Sequence, residues 1–82
     1  MKRASIREIV SHLGGAAALA GRLGVSAVAV YAWIRENSMP LDRAAAIAEE
    51  LGIDRDLLHD PWRGRGQEAM TRQETQALFN RG

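Results

Sequence analysis

The 82-residue chain predicts an all-α fold. Apolar residues recur at helical spacing in successive short segments, capping residues and glycines punctuate those segments, and no stretch shows the β-branched alternation of a strand. A 46% hydrophobic content over this length supports one small core and leaves no material for a second.

The first helix begins at Ser5, because Ser5-Ile6-Arg7-Glu8 fits a capping box. In that motif the serine hydroxyl accepts the N–H three residues on, and the glutamate reaches back to the N–H of the serine. Ile6, Ile9, Val10 and Leu13 then form one apolar stripe, which Gly14-Gly15 ends. The second helix, from Ala16 to Leu23, is about two turns of strong helix formers with Leu19, Ala20 and Leu23 on one face. Gly24 stands where a left-handed cap is needed, and Ser26 caps a third helix that runs to Arg35 or Glu36. Asn37-Ser38-Met39-Pro40 is turn chemistry, with Pro40 suited to the first helical position, where its missing N–H is tolerated. The fourth helix carries Leu41, Ala44, Ala48 and Leu51 in one stripe, with Ile47 beside it, and stops at Gly52. Asp54 caps a short fifth helix bearing Leu57 and Leu58, which Pro61 terminates.

Residues 1–60 therefore read as one domain and residues 61–82 as a partly flexible tail. Arg63-Gly64-Arg65-Gly66 is a basic connector, and Thr71-Arg72-Gln73-Glu74 is a second capping box leading into Ala77, Leu78 and Phe79. A short sixth helix is expected there, either in a disordered end or docked on the core or on another subunit. The stripes of Ile6, Ile9, Leu13, Leu19, Leu23, Val30, Trp33, Ile47 and Leu51 make a contiguous core without the tail.

Several function classes are excluded at this level. The chain has no cysteine, so it has no disulfide framework or thiolate zinc site, and it suits a reducing, cytoplasmic setting. The least charged stretch, residues 10–32, is interrupted by Arg22 and lacks the unbroken apolar length of a membrane span, while Arg7, Glu8 and His12 occupy the place of a signal peptide's apolar region. His12 and His59 are read as surface residues rather than metal ligands. Ser5 and Ser26 are caps, no Gly-x-Ser-x-Gly elbow exists, and the only lysine, Lys2, belongs to no phosphate loop. Glu49-Glu50 is solvated surface. An enzyme, a cofactor and a metal are accordingly not expected. The formal charge of +1 divides into +3 over residues 1–44 and −2 over the rest, which permits an anionic partner without requiring one.

The spacing of Ala20, Gly24, Val25, Val30 and Trp33 is that of two short helices joined by a tight turn. Ala20 lets them cross closely, Gly24 makes the turn, Val25 fills the gap, and Val30 and Trp33 hold the second helix to the core. At 100° per residue, Val30, Trp33 and Asn37 share one side of the third helix. Val28, Tyr31, Ala32 and Arg35 lie opposite, with Ala27 on the flank near the N-terminal end. A valine and a tyrosine on an outward face suit a major groove, where apolar groups read thymine methyls. Burial of that face by another protein is the competing explanation.

Residues 16–35, AAALAGRLGVSAVAVYAWIR, resemble the helix-turn-helix of the Cro/repressor group, and the stretch MPLDRAAAI at residues 39–47 is similar to its YdaS-like branch, which includes Cro-type regulators and antitoxins. The resemblance covers residues 6–53 and implies a compact five-helix DNA-binding domain of phage or prophage origin. It implies a transcriptional repressor that places the third helix in the major groove of a double-stranded operator. One such helix reads about four or five base pairs, so useful specificity calls for a homodimer on a two-fold site. Ala27, Val28 and Ala32 stand where the group often has Gln, Ser, Asn or Lys, leaving Tyr31 and Arg35 as polar readers. Arg22, Ser26, Asn37, Ser38 and Arg43 suit phosphate contacts, although capping serves Ser26, Asn37 and Ser38 equally well. Lys2, Arg3 and Arg7 read as a solvated N-terminus. The alternative function is an interaction module or antitoxin whose tail, with Trp62, Met70, Leu78 and Phe79, holds a toxin or other protein partner.

Overall fold

All four helices expected between Ser5 and Leu51 are present in the computed structural model, which describes residues 2–60 and 69–80, and only the place of Pro40 differs. α1 spans Ile6–His12, α2 Ala16–Leu23, α3 Ala27–Glu36 and α4 Leu41–Leu51. A 3₁₀ turn, Arg55–Leu57, and a last helix, α5, Arg72–Ala77, complete the order. Pro40 is the N-cap of α4, one position before the first helical residue, with an extended ψ of 147°. Its carbonyl still accepts the Ala44 N–H at 2.8 Å. The fifth expected helix is reduced to the 3₁₀ turn, capped as expected by Asp54, whose carboxylate accepts the Asp56 N–H at 2.9 Å. Among the described residues there is no strand, only an isolated parallel bridge between Arg3 and Ala69. The Arg63–Gly66 connector, Pro61 and Trp62 lie outside the described residues.

Ser5 caps α1 in position but not in chemistry. Its side chain accepts no capping bond, so the expected Ser5/Glu8 box does not form. The Ser5 N–H donates instead to Thr75 Oγ1 at 2.9 Å, and Glu8 faces Arg72 at 3.7 Å. The next free amide of α1, that of Ile6, donates to Asn37 Oδ1 at 2.8 Å. Two of the donors orphaned at the start of α1, those of Ser5 and Ile6, are thus satisfied by distant segments. The second capping box does form: Thr71 Oγ1 accepts the Glu74 N–H at 3.2 Å, and Glu74 accepts the Thr71 N–H at 3.1 Å.

Of the nine expected core residues, Ile6, Ile9, Leu19, Val30, Trp33 and Ile47 are buried, whereas Leu13, Leu23 and Leu51 are half-buried at the edge of the cluster. Ala4, Met39, Leu57 and Leu58 join them, drawn in by backbone pairing: Ala4 N–H to the Leu57 carbonyl and Met39 N–H to the Leu58 carbonyl, each at 2.8 Å. α5 packs on α1, and Met70, Leu78 and Phe79 lie against the main cluster. Phe79 stacks on His12 with ring centroids 3.8 Å apart and planes 2° from parallel.

Candidate nucleic-acid interface

α2 and α3 are separated by three residues, and the chain bends by 115° between them. That is the angle range of a helix-turn-helix. Gly24 makes the bend with φ +68°, a left-handed conformation that an L side chain rarely adopts. Ser26 Oγ then accepts the Ala29 N–H at 3.2 Å and starts α3 two residues later. Leu19 and Ala20 of α2 and Val30 and Trp33 of α3 are buried, so both helices are held to the core by their inner faces.

The outer face of α3 is open. Val28 is 76% exposed and Tyr31 59% exposed, and Arg35 is also exposed. These are three of the four positions that the 100° wheel set opposite Val30 and Trp33, the fourth being Ala32. Ala27 is half-buried on the flank, packed against the core. Ala32 is half-buried too, and with Trp33, Glu36, Pro40 and His59 it lines a groove at the C-terminal end of α3. Apart from Tyr31 and Arg35, the exposed part of the face offers little that can hydrogen-bond a base edge.

The five residues assigned to phosphate contacts have different surroundings. Arg22, in the last turn of α2, is ion-paired with Glu50 while remaining partly exposed. Arg43, in the first turn of α4, donates from Nη1 to the Leu23 carbonyl at 3.3 Å and lies 3.8 Å from Asp42. The Ser26 hydroxyl is engaged as a cap. Ser38 Oγ accepts the Asp60 N–H at 3.0 Å. Asn37 faces inward: Oδ1 accepts from Ile6, and Nδ2 donates to the Ala4 carbonyl at 3.2 Å. It is also the only non-glycine residue with positive φ among those described, at 52°.

The N-terminus is not uniformly solvated. Arg3 is 4% exposed, donates from Nη1 to the Asn37 carbonyl, and has Nη2 3.5 Å from the carboxylate of Asp60, itself 5% exposed. Sequence patterning missed both residues, since neither lies on an apolar stripe. The one usable signal was Asn37, a residue type that tolerates the left-handed cap at the end of a helix. His59, expected at the surface, is half-buried with Nδ1 2.8 Å from the Met39 carbonyl. Among the described residues no group of three or more His, Cys, Asp and Glu side chains could hold a metal ion, and no single helix is long and apolar enough to cross a membrane.

Residues 6–55 match the family described as DNA-binding transcriptional regulator Cro, a span that contains α1 to α4 and the whole helix-turn-helix. No curated protein and no solved structure matches the chain.

Proposed function

Because the chain belongs to the family of the DNA-binding transcriptional regulator Cro, we propose that it represses transcription by binding an operator as a homodimer, with α3 in the major groove. The observation that carries this reading is the exposure of Val28 and Tyr31 on the second helix of a 115° helix-turn-helix. Large apolar side chains are costly to leave in water, and a groove lined with thymine methyls gives them a partner. Tyr31 and Arg35 supply the polar contacts to base edges or phosphates. Arg22, Ser26, Ser38 and Arg43 flank the helix ends, where phosphate contacts set register. Asn37 acts through the fold, and Ala27 and Ala32 set the closeness of approach.

The homodimer is part of the proposal on grounds of specificity, since one helix reads too few base pairs to single out a genomic site. Cytoplasmic residence, phage or prophage origin and placement in the YdaS-like branch belong to the same proposal. No catalytic step is required. The antitoxin reading asks the tail to reach a partner, but Met70, Leu78 and Phe79 pack against this chain's own core, which favours the regulator.

Selection of binding sites from random duplex DNA tests the reading directly. A two-fold sequence with half-sites about one helical turn apart is expected. Enrichment of no sequence would remove the operator from the proposal, and a single asymmetric site would remove the homodimer.

A further inference from the structure

The outward readers Tyr31 and Arg35 lie at the middle and in the last turn of α3, so their aim depends on how the C-terminal end is held as well as the start. At the N-terminal end the Gly24 turn and the Ser26 cap hold the helix. At the C-terminal end residues 37–39 meet two other parts of the chain. The Asn37 amide bonds both Ala4 and Ile6, and the Asn37 carbonyl accepts from Arg3. Asp60, beside Arg3, donates its N–H to Ser38, and Met39 pairs with Leu58. Arg3 is the hub, because its side chain touches both Asn37 and Asp60 while its carbonyl accepts the Met70 N–H at 2.6 Å.

We infer that Arg3 is a positioning residue for DNA recognition: with Asn37 and Asp60 it forms a buried polar junction that orients the C-terminal end of α3, and with it Tyr31 and Arg35. Apolar packing around Val30 and Trp33 has no directional preference, whereas a buried guanidinium with two acceptors tolerates little rotation of the group it holds. A buried ion pair contributes little net stability compared with apolar groups of similar size, because both ions must be desolvated. The contribution expected of this pair is therefore orientation. The inference rests on the reading of α3 as the recognition helix.

The test uses the full chain and two duplexes, the selected site and a random sequence. Arg3→Met combined with Asp60→Leu removes both charges together. Asn37→Gly keeps the left-handed cap, which glycine adopts freely, while removing the amide latch. Both variants are expected to fold by circular dichroism, to bind random duplex with wild-type affinity and salt slope, and to lose about tenfold on the selected site, comparable to one mismatched base pair. Arg3→Lys, which keeps the charge and loses the fork, should fall between. A folded variant pair that retains the wild-type ratio of specific to random affinity overturns the inference. Equal losses on both duplexes with a salt slope lower by about one overturn it too, by making the residue a phosphate contact. If only Asn37→Gly folds, its ratio alone decides. If neither folds, the junction serves stability and the inference falls. Lack of preference in the wild-type chain would instead refute α3 as the recognition helix.

Discussion

Thr75 Oγ1 accepts the backbone N–H of Ser5 at 2.9 Å, across 70 positions of sequence. In a capping box that N–H belongs to the glutamate three residues on, here Glu8. α5 thus completes the start of α1 from outside, and Glu8 is left to face Arg72. Thr75 is fully buried, a placement that a tail lying loosely over the surface would not produce.

Thr75→Val keeps the shape of the side chain and deletes the acceptor. The Ser5 N–H then lacks its partner in a half-buried site, and the variant should lose about 1–3 kcal/mol of stability. Urea unfolding measures this, and Thr75→Ser should retain most of it. A wild-type midpoint for Thr75→Val would show that α1 does not depend on α5.

Glu74 links the same helix to pH. The Thr71 N–H, and after it the Lys2 ammonium, hold its carboxyl below the ordinary value of 4.5. A depressed folded value means that the carboxylate's contribution is complete above 4.5 and is lost as pH falls through the lower folded value. The Ser5 and Thr71 amide resonances should therefore move together in that acid range. Glu74→Gln, which can still cap but does not titrate, should abolish the Thr71 shift.

Arg43→Ala tests a positioning contact. One of its N–H groups is engaged by the Leu23 carbonyl, and a guanidinium has five, so others can meet a phosphate. Binding to selected and random duplexes should weaken alike, and the salt slope should fall by about one. An unchanged slope would place Arg43 outside the interface.

Val28 is expected to read a thymine methyl. Val28→Ala should cost on the order of 1 kcal/mol on the selected site and almost nothing on random DNA. Replacing the contacted thymine by uracil should reproduce that loss in the wild type and add little in the variant, since the two changes remove opposite sides of one contact. Additive losses at every thymine would leave sequence choice to Arg35 or to DNA shape.

The outward face of α3 was legible from residue order alone. Val28, Tyr31 and Arg35 are exposed where helical geometry put them, because a 3.6-residue repeat fixes which side chains oppose a buried Val30 and Trp33. Asn37 was legible as a turn residue but not as a latch, since its amide partners Ala4 and Ile6 lie more than 30 positions away, at and just before the start of α1.

By itself the sequence determined what is local: the helices, the Gly24 turn, the Ser26, Asp54 and Thr71 caps, and the amphipathic stripes. Each arises from backbone geometry and hydrogen bonds spanning five positions or fewer, so neighbours in the chain suffice to specify it. Only the tertiary structure decided where the polar groups at the ends of those elements found partners. Ser5 matches a capping box yet bonds Thr75, Glu8 turns to Arg72, and Arg3 is buried between Asn37 and Asp60. A buried donor must find an acceptor, but which one it meets depends on the folding together of segments that carry no mark of each other in sequence.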